Sequence, residues 1–108
     1  MEVNDYQKQI RDYINYPVEL GPFSVILSLQ NNVGNLSLKL NDALTKDHGS
    51  FTKETKTKAA ISLGDILFDL SNIAYDLGLS LNEIISLNLM KHRMNIEKQM
   101  KENESKNS

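Results

Sequence analysis

Apolar residues recur at helical spacing along most of the chain, and turn-forming residues interrupt them. Val3, Tyr6, Ile10, Tyr13 and Ile14 predict a first helix from about Asp5 to Tyr16, ended by Pro17. The link Pro17-Val18-Glu19-Leu20-Gly21-Pro22 is stiff and too short for another element. Proline suits the first helical turn, so a second helix starts at Pro22 and runs to about Leu44. Phe23, Ile26, Leu27, Val33, Leu36, Leu40 and Leu44 are its expected buried positions. Gly34 costs that helix about 1 kcal/mol relative to alanine. It implies either close approach by a helix or ligand, or simple tolerance. A loop at Lys46-Asp47-His48-Gly49-Ser50 follows, and Thr52 is the expected N-cap of helix three. That helix extends to about Leu77, with Gly78 behind it. Ser80-Leu81-Asn82-Glu83 fits a capping box, so helix four starts there and reaches about Met100.

Four helices on short links predict an all-α fold, an antiparallel four-helix bundle over residues 1–100 with a disordered polar tail at 101–108. Helix three carries three stripes on a helical wheel. Ala59, Leu63, Ile66, Leu67, Leu70, Ile73, Ala74 and Leu77 form the main apolar face, expected to line the subunit's own core. Ile61, Phe68 and Tyr75 repeat every seven residues on nearly the opposite side and are the expected interface with a second subunit. Lys58, Ser62, Asp65, Asp69, Asn72 and Asp76 form a polar stripe between them, expected near an inter-subunit cleft. A homodimer or homotetramer follows as the expected assembly.

Composition narrows the chemistry. The chain has 108 residues, 12 Lys+Arg and 14 Asp+Glu, a net charge of −2. That balance argues against coating DNA, which requires a large cationic excess, but allows a local phosphate pocket. There are no cysteines and only two histidines, His48 and His92, so thiolate and multi-histidine metal sites are not expected. No apolar run approaches the roughly 20 residues that span a bilayer. The acidic, polar start Met1-Glu2-Val3-Asn4-Asp5 does not read as a secretory signal, so a cytoplasmic location is expected.

The segment Ser62-Leu63-Gly64-Asp65-Ile66-Leu67-Phe68-Asp69-Leu70, then Ala74-Tyr75-Asp76-Leu77-Gly78-Leu79-Ser80-Leu81-Asn82-Glu83, resembles the second half of the MazG-like all-α nucleoside triphosphate pyrophosphohydrolases. The family pattern there is approximately E-L-G-D-V-L-W-Y-L, a short gap, then E-L-G-L-S-L-E-E. Asn88-Leu89-Met90-Lys91-His92-Arg93 is similar to the family's N-L-x-K-L-x-x-R. Tyr6-Gln7 and Tyr16-Pro17 match its N-terminal landmarks, and Leu29-Gln30-Asn31-Asn32-Val33-Gly34-Asn35-Leu36 occupies the place of G-L-x-G-E-x-G-E-L. The resemblance covers about residues 5–98.

It implies magnesium-dependent cleavage between the α- and β-phosphates of nucleotides, with carboxylates E-E-x-x-E on helix two and E-x-x-D on helix three holding the ions. This chain departs at those positions. Asn31, Asn32 and Asn35 replace the helix-two glutamates, Ser62 replaces the helix-three glutamate, and Asp65 alone remains as a weak metal ligand. Asp69 stands where the family has an aromatic residue. Asn supplies a neutral oxygen in place of a full charge, so hydrolysis is expected to be absent or severely weakened unless Asp69 and Asp76 act as substitute ligands. Asn and Ser do not repel phosphate and can donate to it.

The expected function is non-catalytic nucleotide binding, to sequester or sense a phosphorylated or signalling nucleotide. The expected binding residues are Asn31, Asn32, Asn35, Lys39, Ser62, Asp65, Asp69, Asn88 and Lys91. No cofactor is required on this reading, and magnesium enters only with residual activity or carried by the nucleotide. Two alternatives stand beside it: a structural or regulatory oligomerisation module with a vestigial pocket, and a residual Mg-dependent pyrophosphohydrolase.

Overall fold

The computed structural model describes residues 1–14 and 19–107. Its described elements are α1 (Val3–Ile10), a 3-10 turn (Arg11–Tyr13), α2 (Gly21–Lys46), α3 (Lys53–Asp76) and α4 (Leu81–Asn107). The all-helical expectation holds, with no strand among the described residues. The expected end of helix one at Tyr16 lies outside the described residues.

Local chemistry sets the boundaries. Pro22 sits in the first turn of α2, where its missing N–H costs nothing. His48 and Gly49 both take positive φ in the loop that closes α2. Thr52 caps α3, its side chain accepting the Thr55 N–H at 3.2 Å. Gly78 takes φ +76° behind α3. The Leu79 N–H then reaches the Ala74 carbonyl and the Gly78 N–H the Tyr75 carbonyl, both at 2.9 Å. That pairing satisfies carbonyls the helix end would leave open. Ser80 Oγ accepts the Glu83 N–H at 3.1 Å, the first half of the expected capping box. Helix four does not stop near Met100 but continues through the charged tail to Asn107.

The architecture is an antiparallel hairpin of α2 and α3 with α1 docked on α3 and on the start of α4. The cross-helix bonds Asn32–Asp69 and Lys39–Ser62 fix the antiparallel register. Within one chain the helices do not close around a common apolar core. Among the described residues the buried hydrophobics are few: Ile10, Val25, Ala43, Ala74 and Leu81. The chain is correspondingly open, with a radius of gyration of 18.6 Å, against about 13 Å for a compact domain of this length.

The expected core face of helix three is therefore corrected. Ala74 is buried as expected, but Leu63, Leu67, Leu70 and Leu77 are exposed, whereas Ser62, Asp69 and Asn72 of the polar stripe are buried. The polar stripe faces α2 and α1 in the same chain because its side chains find partners there, leaving the leucines outward. The expected buried positions Phe23, Ile26, Leu27, Val33 and Leu44 of α2 are exposed for the same reason. Gly34 meets no other group within 4 Å of where a Cβ would stand, so no close approach within this chain explains it.

Candidate functional site

The polar stripe of α3 and the asparagine segment of α2 meet along the hairpin seam. Asp69 is 5% exposed, and its Oδ2 accepts Ser28 Oγ at 2.9 Å and Asn32 Nδ2 at 2.8 Å. This buried carboxylate is compensated by two donors rather than by a cation. Two helical turns along the seam, the Lys39 ammonium donates to Ser62 Oγ at 2.8 Å. Lys39 is half-buried and faces no carboxylate in an ion pair; the pairs among the described residues are Arg11–Asp76 and Lys58–Glu54. One half of the seam thus holds an anion with two donors on one carboxylate oxygen, and the other a cation held by a neutral hydroxyl. At 1.5 Å of rise per residue the two lie about 10 Å apart.

The Lys39 end opens into a groove of about 500 Å³ at the loop end of the hairpin. Lys39, Lys46, Lys53 and Lys58 bring ammonium groups to its lining, and Asp42, Asp47 and Glu54 bring carboxylates. Lys58 is spent on Glu54 at 2.9 Å, a contact that lowers the Glu54 pKa from its ordinary value. Thr52 and Thr55 complete the polar wall.

The expected site residues fall into three groups. Asn32, Lys39, Ser62 and Asp69 converge in the seam. Asn35 and Asp65 lie between those two rungs by register, and Asn31 beside them; all three are exposed. Asn88 and Lys91 lie on the exposed stretch of α4, which leaves the body after Leu81 and packs on α1. The chain does not bring them to the seam.

Of the expected interface residues, Ile61 and Tyr75 are exposed and Phe68 is half-buried. Tyr75 is covered on one face by the Arg11 guanidinium, 3.9 Å from the ring centroid. Of the two carboxylates expected to substitute as metal ligands, Asp69 is held by Ser28 and Asn32, and Asp76 lies 3.5 Å from Arg11. No three His, Cys, Asp or Glu side chains converge among the described residues. With Asp69 taken up by Ser28 and Asn32, Asp65 alone beside amides, a hydroxyl and an ammonium does not fit a two-magnesium site, which requires several hard anionic oxygens.

Sequence reasoning missed two neighbours. Tyr6 approaches the seam from α1: burial raises its phenol pKa first, and the Asp65 charge raises it further. Ser28 lies one turn before Asn32 and shares its partner, Asp69. Its signal was the i, i+4 spacing of small polar residues on the helix face that carries Asn32.

No family model, curated protein or solved structure matches this chain. No helix among the described residues is long and apolar enough to cross a membrane.

Proposed function

We propose that this chain is a degenerate MazG-like protein that binds a phosphorylated nucleotide without a metal ion and does not hydrolyse it. The carrying observation is Lys39: a half-buried ammonium, held at 2.8 Å by Ser62 and lacking a carboxylate partner, at the mouth of a groove. An ammonium in that position supplies charge to a phosphate oxygen at less desolvation cost than a free lysine, because part of that cost is already met in folding. The phosphates lie toward the loop end, where the four ammonium groups of Lys39, Lys46, Lys53 and Lys58 outnumber the three carboxylates of Asp42, Asp47 and Glu54. They avoid the Asp69 end, where a buried carboxylate repels them. Asn35, exposed between the two rungs, and Asn31, exposed just beyond the Asn32 rung, offer amide donors and acceptors to the sugar or base. In the ancestral arrangement that the resemblance implies, carboxylates make the ion indispensable. Here an ammonium takes over the neutralising role.

Titration calorimetry of the chain against nucleoside mono-, di- and triphosphates and cyclic nucleotides, with EDTA present, tests this. The expected result is saturable binding that weakens tenfold or more in Lys39→Met. Heat changes indistinguishable from dilution across the panel remove the proposal. Steady release of pyrophosphate with magnesium or manganese, lost in Asp65→Asn, replaces it with the enzymatic reading.

A further inference from the structure

The flank of the hairpin on which α1 packs carries an uncommitted carboxylate. At 100° per residue Asp65 lies about 60° from Ser62 and about 40° from Asp69, and Asn35 about 60° from Asn32 and about 40° from Lys39, all in the same sense of rotation. In an antiparallel pair, equal rotation in the same sense brings side chains to one flank. Asp65 and Asn35 therefore stand on the same side of the line that joins the two rungs. Asn72, turned the same way from Asp69, accepts Arg11 of α1 at 3.2 Å, which puts α1 on this flank as well. Tyr6 of α1 is half-buried and close to Asp65: burial, and after it the Asp65 charge, holds the phenol pKa up. Asp65 itself is exposed, and its carboxylate has neither a hydrogen bond nor an ion pair with another described residue.

A free carboxylate beside a phosphate pocket restricts what can lie against it. Asp65 is three residues from Ser62, about 5 Å along the helix from the Lys39–Ser62 rung. At that range its charge opposes a phosphate, and its oxygens accept only from groups that donate. In a nucleotide whose phosphates lie in the Lys39 groove, the group about one helical turn away is the sugar. A ribose presents two adjacent hydroxyls there, both donors, which match the two oxygens of one carboxylate. A 2′-deoxyribose presents one. Dinucleotide-binding folds read the ribose hydroxyl with an acidic side chain in the same way. The base then falls beyond Asp65 on the side of Tyr6, since α1 packs on the part of α3 that carries Ser71 and Asn72, away from the groove.

We propose that Asp65 accepts the vicinal diol of a ribose, so that the site selects ribonucleotides over 2′-deoxyribonucleotides with no metal ion between Asp65 and the ligand. The proposal rests on the nucleotide-binding reading and adds the sugar to it. The carboxylate that the resemblance makes an ion ligand becomes a sugar ligand once its neighbours are amides and a hydroxyl.

Calorimetry of the full chain in EDTA, against matched ribonucleoside and 2′-deoxyribonucleoside triphosphates of each base, tests it. The ribo form is expected to bind about tenfold more tightly, the effect of one hydrogen bond to a charged group. In Asp65→Ala the ratio between the two sugars is expected to fall close to one. Alanine favours a helix more than aspartate does, so this exposed substitution keeps the fold. Asp65→Asn, which retains one acceptor oxygen, is expected to show an intermediate ratio. Equal affinity for the two sugars in the unaltered chain overturns the proposal and leaves nucleotide binding standing. So does a preference that survives Asp65→Ala, or one that appears only when magnesium replaces EDTA, since Asp65 is then an ion ligand. Binding of no nucleotide at all overturns it together with the reading on which it rests.

Discussion

Polar side chains are buried at two places in this chain, and they are used differently. At the corner where α1 meets the α3–α4 turn, each is consumed by the backbone. Gln7 donates through Nε2 to the carbonyls of Leu79 at 2.9 Å and Ser71 at 3.3 Å, and accepts the Leu81 N–H through Oε1 at 3.1 Å. Asn4 accepts the Asn82 N–H, and Ser80 the Glu83 N–H, both at 3.1 Å. The first three N–H groups of α4 are thus capped by side chains, two of them from α1. In the α2–α3 seam the polar groups meet one another, and Lys39 retains donors beyond Ser62. The corner is a joint, where Gln7, Asn4 and Ser80 hold the backbone of the α3–α4 turn and the first turn of α4. The seam keeps binding capacity in reserve. A buried polar residue points to a ligand only when its hydrogen bonds and charge are not already balanced.

Stability measurements can separate the two regions. The largest loss is expected for Gln7→Ala, which leaves the Leu79 carbonyl and the buried Leu81 N–H without their partner, while the Ser71 carbonyl keeps its helical bond. About 3 kcal/mol of unfolding free energy should disappear, read from the urea midpoint. A loss under about 1 kcal/mol means that the corner is held by something else. Arg11→Ala comes next. It removes a 3.2 Å bond to Asn72 and the stacking on Tyr75, an expected loss of about 1–2 kcal/mol.

Asp69→Asn keeps an acceptor for Ser28 or Asn32 but not the charge, and is expected to cost about 1 kcal/mol. It should also tighten nucleotide binding several-fold by removing a negative charge from the seam, so calorimetry and denaturation move in opposite directions. Equal weakening of both readouts instead makes Asp69 a ligand-binding group. Lys39→Met is expected to change stability least, within about 0.5 kcal/mol, while carrying the largest binding loss. That inversion relative to Gln7→Ala is the sharpest form of the contrast.

Alkaline pH adds a smaller effect through Tyr6. Its native phenol pKa is raised by burial and then by Asp65, so the unfolded chain releases this proton first. The corresponding stability is full below pH 10 and is lost as pH climbs through the native value. Tyr6→Phe should remove that component from a denaturation series above pH 9.

The boundaries around α3 and the start of α4 were legible because caps and turns are local. Thr52, Gly78 and Ser80 act on backbone groups within a few residues of themselves, and each does what its position in the sequence predicts. The asparagine segment of α2 was legible as polar, and Asn32 does meet the α3 stripe. The corner was not legible. Gln7 lies more than sixty residues from its partners, and an amide between apolar neighbours gives no sign of which distant carbonyl it will reach. Nor could the sequence place Asn88 and Lys91, since nothing local determines where the far part of α4 lies.

The amino-acid pattern alone determined that the chain is helical, where α2, α3 and α4 start, and that α3 carries apolar and polar stripes, because periodicity and capping are properties of neighbouring residues. Which stripe turns inward was decided by tertiary structure. Both kinds of stripe can pack against a second helix. Ser62, Asp69 and Asn72 found hydrogen-bond partners on α2 and α1 within the same chain, and that satisfaction left the leucines outward.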